Sequence, residues 1–309
     1  MLFRSSEFGT NFVRGLLEEA RPTSFAELVK VSGLSHGTDV WSNNAQDLLK
    51  GANGCPKIPF KDIIGCRDDI MTDLIKFGVP SGLAFSTMEF VRKGNAPEQP
   101  DKWQGIVSDL NPYKIPKWYL DSCSKIKYMF PKAHATAYII MALRIAWFKL
   151  YRPIYFYSAV MSKKMTAYSV EVMTGGIARI KEELQRLNNI PTQERKVKDD
   201  DLITTLELAL EMNVRGMKFY NVDLYKSEAQ DFAVKEDLSG LYMPFVAIDG
   251  LGGASAQSIV DARKEGPFET QKDFMKRCQV STTNFDKMKE LGVFRGMPED
   301  NQLTLDLGI

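Results

Sequence analysis

A chain of 309 residues, 44% hydrophobic and 26% charged, has the composition of a folded globular protein, which excludes collagenous, largely disordered and disulfide-scaffold classes. Its 40 Lys and Arg against 39 Asp and Glu leave a net charge of +1, so bulk charge names no partner and a nucleic-acid surface must show as local clustering. Two histidines, His36 and His134, and four cysteines without a C-x-x-C pair argue against a histidine-rich metal site or a zinc ribbon and fit reduced thiols in a cytoplasm.

From the N-terminus, where no basic-then-apolar secretory signal is read, Phe12, Val13, Leu16 and Leu17 share one helical face behind a cap at Thr10, and Pro22 stops the run. Ser24, Phe25, Ala26 and Glu27 have the form of a capping box, opening a second helix with Phe25, Leu28 and Val29 inward and Gly33 as its end. A loop at residues 35–39 leads to a helix over residues 45–50 and a turn-rich link to Pro59. Gly65, Cys66, Arg67, Asp68 and Asp69 mark another turn. Consecutive helical side chains point about 100° apart, so Asp68 and Asp69 suit capping or pairing with Arg67 better than two-metal chemistry. Residues 93–118 are polar, carry Pro97, Pro100, Pro112 and Pro116, and read as a long surface loop. The apolar stretch 133–148 contains His134 and Arg144, falls short of a bilayer span and is expected to be a buried helix.

Residues 114–152 hold Lys114, Lys117, Lys125, Lys127, Lys132, Arg144, Lys149 and Arg152 against the single acid Asp121, interleaved with Trp118, Tyr119, Tyr128, Phe130, Tyr138 and Trp147. Cations among planar side chains are what a polyphosphate carrying a base requires, or a nucleic-acid strand with exposed bases. Lys132 and His134 stand where a helix N-terminus adds its own partial positive charge. Further on, Ile177, Ile180, Leu184 and Leu187 have helical spacing, and a second helix is predicted over residues 202–214 behind the solvated charge run 193–201. Strand content is low: residues 219–224, and a hairpin joining 231–234 to 241–243.

Gly250, Leu251, Gly252 and Gly253 then lead into a predicted helix over residues 254–264, so that two helices meet across a glycine hairpin. Glycines let the backbone turn tightly and expose its N–H groups, and the following helix N-terminus completes a seat for phosphate. This resembles the helix-hairpin-helix motif that grips DNA backbones without reading sequence. The expected contacts are the amides of Gly250, Gly252, Gly253 and Ala254, aided by Arg263 or Lys264, and a bulky residue at Gly252 is expected both to block phosphate approach and to distort the turn. Residues 268–294 look like a second, degenerate copy.

Several long strings carry a wider resemblance: Glu7-Phe8-Gly9-Thr10, Ser32-Gly33-Leu34-Ser35-His36-Gly37-Thr38-Asp39-Val40-Trp41, Gly65-Cys66-Arg67-Asp68-Asp69-Ile70-Met71 and Lys127-Tyr128-Met129-Phe130-Pro131-Lys132-Ala133-His134-Ala135. They resemble the C-terminal part of PolC-type bacterial DNA polymerase III alpha subunits, over nearly the whole chain from about Ser6. The resemblance implies a mainly α fold: a multi-helix fingers region over residues 1–215, a tandem helix-hairpin-helix duplex-binding region with a small β-hairpin over 216–297, and a flexible clamp-binding tail over 298–309. Arg67, Lys132 and His134 are the expected triphosphate contacts, with Tyr138 nearer the base or sugar and Ser35 and His36 in the loop that borders the pocket. In the tail, Gln302, Leu303, Leu305 and Leu307 fit the six-residue form of a sliding-clamp peptide, although Asp306 stands where the family has Phe.

The family's full chain carries its catalytic palm elsewhere, and no hydrophobic-Asp-x-Asp-hydrophobic strand occurs in this sequence. The expectation is therefore a cytoplasmic piece of a DNA-directed DNA polymerase that is inactive alone. It would bind no cofactor itself, would meet Mg²⁺ only with the dNTP, and would partner duplex DNA, dNTP, the clamp and the remainder of the polymerase. The alternative is a stand-alone, non-enzymatic adaptor that binds DNA and recruits the clamp.

Overall fold

The computed structural model of the chain describes residues 7–300 and is mainly helical. It divides into two compact units, residues 1–147 and 148–309. No helix among the described residues is long and apolar enough to cross a membrane.

The first unit begins with α1 (Asn11–Ala20), whose N-terminus is closed by Thr10 as its spacing predicts, the Val13 N–H donating to Thr10 Oγ1 at 3.3 Å. In α2 (Phe25–His36) Ser24 Oγ accepts from Glu27 N at 3.2 Å, but the return bond of the capping box is displaced: Glu27 Oε2 accepts from Thr23 N at 2.7 Å. Two expectations for this helix are corrected. Phe25 is exposed, and Gly33 is no terminator but a buried mid-helix packing position, where a Cβ would lie 2.3 Å from the Gly65 carbonyl oxygen. The helix runs three residues further, to His36, and its last turn is closed by the Gly37 N–H donating to Gly33 O at 3.2 Å.

After a kinked turn at Trp41–Ala45 come α3 (Gln46–Lys50), α4 (Arg67–Lys76) and α5 (Ser81–Arg92). The predicted surface loop at 93–118 is instead largely helical: α6 (Asn95–Glu98), α7 (Pro100–Leu110), a 3-10 turn at Asn111–Tyr113, then α8 (Lys117–Lys125). The prolines did not break these helices because they stand in the first turns or just before them. Pro100 is the first residue of α7 and Pro116 precedes α8, positions whose N–H groups have no intrahelical partner in any case. Val13, Leu16, Val29, Leu34, Ile63, Ile70, Leu74 and Ile139 belong to one continuous core.

Helix α9 (Lys132–Tyr151) was expected to be buried all round, and it is not. Ala135, Ile139, Ala142, Ala146 and Lys149 form one buried stripe, whereas Tyr138, Ile140, Met141, Trp147, Phe148 and Tyr151 are exposed.

The second unit continues with α10 (Pro153–Lys164), α11 (Val170–Thr174), α12 (Gly176–Asn188) and α13 (Val197–Val214). Ile180, Leu184 and Leu187 of α12 are buried as their spacing predicts, whereas Ile177, in the first turn, is exposed. Helix α13 starts within the charge run, where Asp199 Oδ2 accepts from Lys196 N at 3.0 Å. Three short strands follow, β1 (Lys218–Tyr220), β2 (Ala233–Val234) and β3 (Gly240–Tyr242). They form one sheet in the order β1-β3-β2, with β1 parallel and β2 antiparallel to β3. The chain ends in α14 (Gly253–Ala262), α15 (Gln271–Arg277) and α16 (Thr282–Glu290), around a ring cluster of Phe268, Phe274, Phe285 and Phe294.

Candidate functional site

In the first unit the expected nucleotide residues come together. The segment 127–130 is the common strut: Thr38 N donates to Tyr128 O at 3.0 Å, Met129 N to Arg92 O at 3.2 Å and Arg67 N to Phe130 O at 3.2 Å. Phe130 then carries a run of rings. His36 stacks on it at 4.9 Å between centroids, His134 meets it edge-on at 4.8 Å, and Tyr138 lies 4.5 Å from His134. Ser35 is turned inward along its own helix, its hydroxyl donating to Ser32 O at 2.9 Å. His36 is held at the same carbonyl, with Nδ1 2.9 Å from Ser32 O and Nε2 3.3 Å from Glu7 Oε2.

The cations are arranged around Asp69 at the start of α4. Its Oδ2 accepts from Gly65 N at 3.0 Å and Cys66 N at 3.1 Å and lies 3.4 Å from Lys30 Nζ, while Oδ1 accepts from Lys132 Nζ at 3.2 Å. Burial works against this carboxylate, yet Lys30, the Gly65 amide and Lys132 outweigh it and hold its pKa below the ordinary Asp value. Asp69 in return raises the pKa of Lys132, whose side chain is 48% exposed and so keeps donors open to a ligand. Asp68 Oδ2 accepts from the N–H of Lys132, the first residue of α9, at 2.7 Å, and lies 3.8 Å from Arg67 Nε, a buried atom with no hydrogen bond among the described residues. The expected capping by Asp68 and Asp69 and the pairing of Asp68 with Arg67 match these contacts. Burial, with Asp69 next, pushes the Cys66 thiol up to about 12, so it packs rather than reacts.

The wider basic stretch does not act as one surface. Lys149 is buried, paired with Glu211 Oε1 at 2.8 Å, and Lys125 donates to Asn43 O at 2.8 Å. Burial depresses the Lys149 pKa despite that pair. Helical periodicity carries Lys149 onto the buried stripe of α9, which a count of charges along the sequence could not show.

In the second unit the glycine hairpin is present, but a 3-10 turn at Phe245–Ala247 stands where a first full helix was expected. Leu251 N closes the turn on Ile248 O at 3.0 Å, and buried Leu251 anchors it. Gly250 has φ +86°, a left-handed conformation that glycine adopts freely. Gly252 differs. As the N-cap of α14 it has φ −70° and ψ 160°, and a Cβ there would meet nothing within 4 Å, so a side chain would obstruct a ligand without distorting the turn. Helix α14 also lacks a side-chain cap, whereas Thr270 caps α15 and Ser281 caps α16. Its first amides, of Gly253, Ala254 and Ser255, therefore have no side-chain cap, and the side chain nearest to where a Cβ on Gly253 would lie is Gln230, its Nε2 3.4 Å away.

Of the two expected cations, Arg263 faces inward, donating to Leu224 O at 3.1 Å, to Ser227 O and to Glu228 Oε1 at 3.1 Å, with its side chain 12% exposed. Lys264 is exposed and pairs with Asp261 at 2.8 Å. The residues that actually surround the hairpin were missed: Asn284 Nδ2 donates to Gly250 O at 3.0 Å, and Lys287 Nζ donates to Asp249 O at 2.7 Å. Their signal was the second helix-hairpin-helix copy, which packs its last helix on the first hairpin. Gln302, Leu303, Leu305 and Leu307 lie outside the described residues.

Residues 6–110 match the family described as bacterial DNA polymerase III alpha subunit finger domain, and residues 216–303 match a helix-hairpin-helix motif family. The chain is 48% identical over 301 residues to a DNA polymerase III PolC-type of Streptococcus suis (strain 98HAH33), covering 97% of this chain and 20% of that protein. It is 47% identical over 305 residues to the PolC-type polymerase of Streptococcus pyogenes, and 47% over 301 residues to that of Streptococcus pneumoniae serotype 2 (strain D39 / NCTC 7466), again covering 97% and 20%. The chain thus spans about a fifth of the length of these curated relatives.

Proposed function

The chain is a segment of the PolC-type DNA polymerase III alpha family, comprising fingers and helix-hairpin-helix regions, and from that premise we propose that it holds duplex DNA without regard to sequence and positions the incoming dNTP for a polymerase whose nucleotidyl transfer is performed outside these residues. The observation that carries the reading is the α14 N-terminus: glycine at the cap with open space where its Cβ would be, and no side-chain cap on the first turn. Backbone N–H groups at a helix start bind phosphate oxygens and carry no information about bases.

The nucleotide half is supported by the grouping of Arg67, Lys132 and the His36–Phe130–His134–Tyr138 rings, which offers charge-assisted donors beside planar side chains. Mg²⁺ would arrive with the triphosphate as its counter-ion. Clamp binding by Gln302, Leu303, Leu305 and Leu307 rests on sequence alone.

The test is duplex binding by the chain, followed by fluorescence anisotropy with unrelated sequences. Wild type should bind them equally, with log affinity falling by about 0.9 per neutralised phosphate per decade of salt. Gly252→Val should weaken binding strongly while the fold persists; unchanged affinity in that variant would remove the α14 terminus from the interface.

A further inference from the structure

Two ammonium groups converge beside the Gly250 hairpin on one carboxylate. Lys198, in the first turn of α13, donates to Asp249 Oδ1 at 2.9 Å. Lys287, on α16, donates to the Asp249 carbonyl at 2.7 Å and lies 3.5 Å from its Oδ2. Asp249 immediately precedes Gly250, and a Cβ on Gly250 would sit 3.6 Å from Lys287 Nζ, so this cluster adjoins the hairpin itself. Lys198 and then Lys287 hold the Asp249 carboxyl below the ordinary Asp range, which keeps it an anion. The arrangement is exposed, with the Asp249 side chain 75% and that of Lys198 68% accessible. Ion pairs so exposed are weak and exchange partners readily.

An anion held by lysines from two helices, next to a helix start with open amides, reproduces the surroundings that a phosphodiester oxygen seeks. We propose that Asp249 is a built-in phosphate mimic, and that Lys198 and Lys287 are DNA-backbone contacts which pass from its carboxylate to a duplex phosphate seated at the Gly253 and Ala254 amides. The inference rests on the helix-hairpin-helix reading above and extends it to α13, because Lys198 lies outside the matched residues 216–303. It also assigns a cost to Asp249: once its lysines have moved to the phosphate, a carboxylate remains beside an anion of the same sign.

The experiment titrates the full chain into a labelled random-sequence duplex between about 50 and 200 mM salt, comparing wild type with Lys198→Ala, Lys198→Arg, Asp249→Asn and the Lys198→Ala/Asp249→Asn double variant. Lys198→Ala should lower affinity roughly fivefold at about 0.1 M salt and reduce the magnitude of the salt slope by about one, with Lys198→Arg restoring both. Asp249→Asn should instead tighten binding, and the gain should shrink in the double variant, since the competing pair is already gone. Lys198→Ala that leaves affinity and slope unchanged overturns the proposal, as does an Asp249→Asn gain that is fully additive and so reflects only net charge. If Gly252→Val abolishes binding in either case, the helix-hairpin-helix reading survives the loss of this inference. A wild-type chain that binds no duplex overturns both.

Discussion

Gly250 and Gly252 flank a single leucine yet answer to different constraints. The backbone of Gly250 lies at φ +86°, and a Cβ there would come within 3.3 Å of Asn284 Oδ1. A non-glycine residue in this left-handed region costs about 1–2 kcal/mol, so Gly250→Ala should lower unfolding free energy by that amount, while Gly252→Ala, in extended backbone with open space, should stay within about 0.5 kcal/mol of wild type. Urea unfolding monitored by circular dichroism separates the two. Equal losses would mean that the hairpin geometry is wrong. Asp69 makes a second prediction, in pH. Its pKa is depressed in the folded state, so its stabilisation is complete above the ordinary value of 3.8 and is lost as pH falls through the lower folded value. Asp69→Asn should therefore cost about 3 kcal/mol near neutrality, and the gap from wild type should narrow below about pH 4. A gap independent of pH down to the acid transition would show that the Asp69 charge contributes nothing to the fold.

At the scale of elements, what could be read from the sequence was what local rules decide. Thr10 before an apolar periodic run gave the start of α1, and the spacing of Ile180, Leu184 and Leu187 gave α12 and its buried face. What escaped depended on distant partners. Gly33 read as a stop, because nothing nearby in sequence reveals that the Gly65 turn must pack against it. Lys198 and Lys287 reach Asp249 from 51 and 38 residues away, and no spacing rule spans such separations. Helix α9 shows the same limit. Its composition is apolar nearly throughout, yet only one stripe is buried, so Ile139→Ala should cost about 2–5 kcal/mol. Met141→Gln, on the exposed face, should change stability by less than about 0.5 kcal/mol. Chemical denaturation of both variants checks this directly, and comparable losses would place Met141 in a core.

The two units of the molecule group different side chains. The first groups Lys132, Arg67 and a run of rings suited to a nucleoside triphosphate, and the second carries a glycine hairpin suited to a DNA backbone. A net charge of +1 means that neither role can come from bulk attraction; each depends on a few placed donors. In the proposed function, duplex DNA is held by backbone amides at the start of α14. This is tested most directly by amide chemical shifts, recorded by NMR on the ¹⁵N-labelled chain as random-sequence duplex is added. The Gly253, Ala254 and Ser255 amides should shift and saturate together with binding, equally for unrelated sequences. Duplex binding that leaves those three amides unmoved would contradict the proposed contact.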